Sequence, residues 1–135
     1  MNNTDDINKK LREEAIKAHL NAYSPYSHAK IGCALITDKG IIYSGCNVEN
    51  GSYGATVCAE RIAIFKAVSC GERKITKLYV YSKDGWPPCG MCRQVIREFT
   101  NDNAEVIIGN ERGEESVYTV GQIYPLSFGP SHLGI

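Results

Sequence analysis

The sequence predicts an α/β fold: a three-layer α-β-α arrangement around one five-stranded mixed sheet. Three observations predict it. Hydrophobic periodicity divides the chain into nine segments in the order α-β-β-α-β-α-β-β-α. The third strand, third helix and fourth strand form a unit that favours parallel pairing. The length, 135 residues, suits a single domain spanning 1–135, large enough to bury a core without disulfide staples.

The elements follow in order. Ile7, Leu11, Ala15, Ala18 and Ala22 recur at helical spacing, so 5–22 is expected as a helix capped by Thr4 or Asp5. Pro25 ends the pattern. Segments 30–37 and 41–48 read as strands joined by the hairpin signal Asp38-Lys39-Gly40. "ENGSYGAT" reads as a loop. Segment 58–69 is a helix with Gly71 as its C-terminal stop, and 75–81 is a strand. The prolines at 87 and 88 suit the start of a helix over 89–99, where the first turn needs no internal N–H donor. Segment 105–109 is a strand and 117–118 a weak one. Thr119 and Gln122 have capping-box spacing for a short closing helix.

Composition excludes several classes. Hydrophobic residues are 43% and charged residues 22%, which argues against disorder and against a membrane protein. Fifteen basic residues balance fifteen acidic ones, and no basic run offers a face to phosphates. A small, weakly charged partner is expected rather than nucleic acid. The N-terminal "MNNTDDINKKLREEA" lacks the apolar core of a signal peptide. A cytoplasmic location is expected, where six cysteines do not read as three disulfides.

The cysteines carry the chemistry. "PCGMC" places Cys89 and Cys92 at the start of a helix. Alone, this motif fits a redox dithiol, a pair of buried thiols or half of a metal site. Cys58, in "GATVCAER", also opens a helix. If the two helix starts meet, three thiolates converge where free N–H groups and a partial positive charge stabilise them. That suits a tetrahedral zinc ion with one position open, as in catalytic sites. A structural zinc site needs a fourth ligand, from Cys33, Cys46, Cys70, His19, His28 or His132. Cys33 and Cys46 lie in strand patterns and read as small core residues. No histidine has a partner at metal-ligand spacing.

Glu60 lies two positions after Cys58. It could reach a water beside the metal and move protons without ligating; otherwise it is a solvated first-turn glutamate favoured by the helix dipole. The arginine at 61, one turn from Cys58, offsets the net negative charge of three thiolates on Zn²⁺. Asn47 and Glu49 suit sugar hydroxyls better than phosphate; otherwise they are turn residues.

The combination Cys58-Ala59-Glu60 with Pro88-Cys89-Gly90-Met91-Cys92 resembles the zinc deaminase signature. More closely, "YSPYS", "GCNVENGSYGATVCAERIAIFKAV", "PCGMCRQVIREF" and "LSFGPSHL" resemble the small homotetrameric cytidine deaminases, in that family's order. The resemblance implies hydrolysis of cytidine and 2′-deoxycytidine to uridine and 2′-deoxyuridine in pyrimidine salvage, with release of ammonia. It implies one Zn²⁺ per subunit held by Cys58, Cys89 and Cys92, and Glu60 as the proton shuttle. Arg61 would bond the thiolates, and Asn47 and Glu49 would hold the ribose. Phe128 would reach a neighbouring subunit's base, with Tyr53 on the same intersubunit wall.

The chain departs from the family at Ala29, where a phenylalanine is common, and at 82–87, a loop that looks short and carries Trp86. These departures keep open a deaminase for another aminopyrimidine nucleoside, such as blasticidin S. An editing deaminase and a non-catalytic zinc or redox module are further alternatives.

Overall fold

The computed structural model describes residues 3–135. The helix α1 spans Asn3–His19 and is followed by strands β1, Ile31–Thr37, and β2, Ile42–Cys46. Helix α2, Ala59–Ser69, leads to β3, Ile75–Ser82; helix α3, Gly90–Glu98, leads to β4, Glu105–Gly109. Strand β5, Glu115–Thr119, and the short helix α4, Val120–Ile123, complete the regular elements apart from two 3₁₀ turns, at Tyr53–Ala55 and Pro130–Leu133.

One five-stranded sheet has the order β2-β1-β3-β4-β5. Only the β3–β4 pair is parallel, as the intervening helix requires. Alternation along the strands makes two cores. Ala34, Tyr79, Tyr81 and Ile107 pack under α1 through Leu11 and Ala15. Cys33, Leu35, Leu78, Val80 and Val106 face α2, α3 and α4, meeting Ala63, Ile64, Ile96 and Val120. A Cβ at Gly32 would stand 1.9 Å from the Ala15 carbonyl oxygen, so α1 lies on β1 at backbone distance.

Several local signals behave as the sequence predicts. Gly40 (φ 81°) turns the β1–β2 hairpin. Gly71 (φ 98°) closes α2, with its N–H on the Val68 carbonyl and that of Glu72 on the Ala67 carbonyl, a Schellman pattern. Thr119 and Gln122 form a reciprocal capping box.

Other boundaries differ for tertiary reasons. The α1 helix ends at His19, short of Ala22, because Tyr23 leaves it to bond the Asn47 carbonyl. It also begins earlier, so Thr4 and Asp5 lie inside it rather than capping it. Strand β2 stops at Cys46; Val48 instead makes isolated bridges to Tyr23 and Val57. Strand β5 is longer than 117–118 because it pairs with all of β4.

This topology creates one functional end. Register places Gly32 opposite Cys46 and Ile31 opposite Ser82. The entrance to β1 and the exits of β2 and β3 are thus side by side.

Candidate active site

Helices α2 and α3 present their N-termini to this end. Cys58 is the N-cap of α2 and Cys89 the N-cap of α3. Neither side chain makes a capping hydrogen bond, which leaves both thiols free for other chemistry. Cys92, two residues into α3 and buried, completes the group.

The Sγ atoms of Cys58, Cys89 and Cys92 all lie within 4.8 Å of one another, and Cys58 and Cys89 are 3.9 Å apart. Thiolates on two corners of a zinc tetrahedron sit about 3.8 Å apart, given Zn–S bonds of about 2.3 Å. The donor set and its spacing fit Zn²⁺. Among the described residues no fourth His, Cys, Asp or Glu joins the group. Cys33 is in the core, Cys46 is half-buried at the end of β2 and Cys70 is exposed. His19 packs edge-on against Tyr81 and His132 stacks on Phe128.

Arg61 Nη2 approaches Cys58 Sγ at 3.7 Å and donates to the Thr56 carbonyl. Its Nε is buried without a hydrogen-bond partner among the described residues. A half-buried cation whose buried Nε is a spare donor beside sulfur favours thiolates. The Cys58 thiol is lowered to about 5, first by the hydrogen bond from Cys92 and then by Arg61 and Cys89, against the effect of burial. Cys92 is raised, because it donates that bond to Cys58 and is itself desolvated.

Glu60 is 4% exposed and lines a cavity of about 230 Å³ with Cys58 and Cys89. Burial raises its carboxyl to about 7, with the charge on Cys58 adding to the shift and the backbone and Arg61 opposing it. A solvated first-turn glutamate does not describe this residue.

Asn47 and Glu49 line the same cavity. Both are also structural. Asn47, 6% exposed, donates to the Ala29 carbonyl at 2.8 Å and accepts from the Ile31 N–H at 2.9 Å. Glu49 accepts from the N–H groups of Tyr26 and Ser27 and from the Ser27 hydroxyl. Tyr53 and Phe128 do not line this cavity. Tyr53 is 76% exposed against Tyr26, and Phe128 is 54% exposed against His132. Ala29 and Trp86 both lie on the cavity wall.

Sequence reasoning missed Arg93. Its Nε donates to the Pro88 carbonyl at 2.9 Å and its Nη1 to the Ile123 carbonyl at 2.7 Å. It ties the Cys89 loop to the end of α4. Its place one turn after Cys89 was visible, but its long-range acceptor was not. Ser27, the partner of Glu49, lies within the "YSPYS" stretch, but nothing local to it pointed to Glu49 as its acceptor.

Residues 5–109 match the family described as the cytidine and deoxycytidylate deaminase zinc-binding region. A cytidine deaminase of Sporosarcina psychrophila is 45% identical over 127 residues, 93% of each chain. The chain belongs to the cytidine and deoxycytidylate deaminase family. A second relative, the cytidine deaminase of Halalkalibacterium halodurans, is 43% identical over 120 residues, covering 87% of this deaminase and 91% of the relative. The crystal structure of cytidine deaminase from Burkholderia pseudomallei superposes with a TM-score of 0.85 at 40% identity, covering 89% of this chain and 98% of that one. The family brings its cofactor, Zn²⁺, to the three-thiol cluster. Among the described residues no helix of this deaminase is long and apolar enough to cross a membrane.

Proposed function

We propose that this deaminase hydrolyses the 4-amino group of cytidine and 2′-deoxycytidine, giving uridine and 2′-deoxyuridine with ammonia, as a step of pyrimidine salvage. The observation that carries the reading is Glu60, a buried carboxyl in a cavity whose wall is two of the three clustered thiols. A redox dithiol needs no such carboxyl, and a structural zinc site would recruit a fourth protein ligand.

Cys58, Cys89 and Cys92 hold the metal, and Arg61 balances their charge. Zn²⁺ supplies Lewis acidity and makes water a competent nucleophile near neutral pH. Glu60 takes the proton from the attacking water as its oxygen bonds to ring C4. The carboxyl passes that proton to ring N3. It then takes the second water proton from the new C4 hydroxyl and delivers it to the amine as the C4–N bond breaks; ammonia leaves, and the ring is a uracil with C4=O and N3–H. Asn47 and Glu49 meet the ribose hydroxyls with the capacity left after their internal bonds: an amide N–H and carboxylate lone pairs.

Glu60→Ala tests this reading. Zinc content should stay at the native level while cytidine turnover falls roughly 10²–10⁴-fold. Substantial residual turnover in a zinc-loaded variant would refute the proton shuttle.

The same reading extends to the assembly. We infer one domain over 1–135, acting in the cytoplasm as a homotetramer in which Phe128 of one copy covers the base bound by another. The exposure of Phe128 and Tyr53, away from their own cavity, supports this. A monomer in light scattering, fully active, would contradict it. A second reading, a deaminase for a larger aminopyrimidine nucleoside such as blasticidin S, is favoured by Ala29, which leaves the wall thin. Comparing turnover of cytidine, deoxycytidine and blasticidin S separates the two.

A further inference from the structure

A second cavity of about 410 Å³ adjoins the reaction cavity. The two share four lining residues, Ser27, Ala29, Ile31 and Trp86. The side cavity is the larger one; beyond the shared residues it is lined by Tyr81 and by polar groups that include Lys30, Lys83, Asp84 and Glu111. Its two lysines balance its two carboxylates, so it offers no net charge to a phosphate. Of the shared residues, Ala29 contributes a single methyl group. Trp86 is the largest side chain lining both spaces, with Ile31 as the other large apolar one.

Trp86 is held at its backbone. Its N–H donates to Ser82 Oγ at 2.8 Å. Gly85, at φ 76°, makes the turn that delivers it, a conformation other residues adopt only with strain. Pro87 and Pro88 stiffen the chain beyond it, and Arg93 anchors the Pro88 carbonyl. The residue is nevertheless 52% exposed. A large apolar ring on a fixed backbone at the mouth of a cavity suits contact with a planar ligand.

We propose that Trp86 is a specificity-determining residue: with Ala29 it partitions the two cavities and limits the width of the pyrimidine ring that enters. The inference rests on the deaminase reading above. The ring is oriented by its two ends, since C4 must face Glu60 and the sugar must face Asn47 and Glu49. One long edge of the ring then carries O2 and N3, which need polar partners. The other carries only the C–H groups of C5 and C6. An alanine methyl and an indole ring match the C5–C6 edge. Opening the partition therefore gives room to a substituent on C5.

The test compares cytidine with 5-iodocytidine in the zinc-loaded enzyme. Trp86→Ala should raise the KM for cytidine roughly tenfold, more than it lowers kcat. It should raise the ratio of kcat/KM for 5-iodocytidine over cytidine by a similar factor. Ala29→Phe should lower that ratio, and Ala29→Phe added to Trp86→Ala should return it toward the native value. Trp86→Phe, a milder change, gives an intermediate ratio and decides the matter if Trp86→Ala loses zinc or fails to fold. Trp86 is the single tryptophan of the chain, so its emission should also shift as uridine binds, with a Kd equal to the inhibition constant. Unchanged ratios in both Trp86→Phe and Ala29→Phe, or silent emission at saturating uridine, overturn the proposal while leaving the deaminase reading intact. A zinc-loaded native enzyme that does not turn over cytidine overturns both.

Discussion

The two ends of the reaction cavity are built on different principles. At the thiol end, Cys58 and Cys89 sit on helix N-caps and Cys92 one turn inside α3. Their positions are set by helices anchored in the core through Ala63, Ile64 and Ile96. At the sugar end, Asn47 and Glu49 sit on irregular chain beyond β2, and their side chains also hold the 26–31 segment in place. The reacting groups thus stand on rigid elements, while the recognition groups are themselves part of the loop scaffold. Changes at the first end should remove chemistry cleanly, and changes at the second should mix binding with local stability.

The largest effect tests the rigid end. Cys89→Ala should lose both metal and turnover, because two thiolates on separate helices do not replace three. Metal analysis of the purified variant checks this, and full zinc occupancy would break the comparison at its root. Arg93→Ala is the next step down. It leaves the ligands intact but frees the Pro88 carbonyl and the end of α4, so zinc affinity should fall roughly tenfold to a hundredfold. Competition with a chelator measures that loss.

At the sugar end, Glu49→Gln keeps an acceptor for the Tyr26 and Ser27 N–H groups but removes the charge. It should raise the KM for cytidine roughly tenfold, with a smaller change in kcat and no change in zinc content. Equal losses in kcat and kcat/KM would instead place Glu49 among the groups that act only in the transition state.

The smallest effect concerns pH. The Glu49 carboxyl is held below its ordinary value, first by the Ser27 hydroxyl and then by the Ser27 and Tyr26 N–H groups and His28, with desolvation opposing. A carboxyl lowered by folding contributes stability above its unfolded value of 4.5, and this is lost as pH falls through the lowered folded value. Ser27→Ala removes the leading cause. The variant should therefore lose less stability than the native protein as pH falls below 4.5. Urea midpoints on both sides of that value check the sign, and parallel losses would show that the Ser27 bond is not coupled to folding.

The same contrast separates what was legible from what was not. The Gly71 stop and the Thr119–Gln122 box depend on neighbours within four residues, and both formed as read. The thiol cluster was legible because both helix starts announce themselves locally; only their meeting needed the fold. The end of α1 was misread because Tyr23 answers to Asn47, far along the chain. Strand β5 was underestimated because an edge strand draws its length from its partner, not from its own polar residues. Trp86 stood out in the sequence only as a departure within the 82–87 loop, and placing it on the pocket wall took both cavities.

The sequence by itself determined the elements, the three sulfurs, and an acid placed beside one of them, because helix caps, turns and short spacings are set by bonds between close neighbours. Tertiary structure alone decided that Cys58 and Cys89 stand 3.9 Å apart, that Arg93 ties one helix tip to α4, and that Ala29 and Trp86 share a wall. Those facts depend on how β1, β2 and β3 align at one end of the sheet. That alignment comes from burying two apolar faces at once, and no short window of the chain contains it.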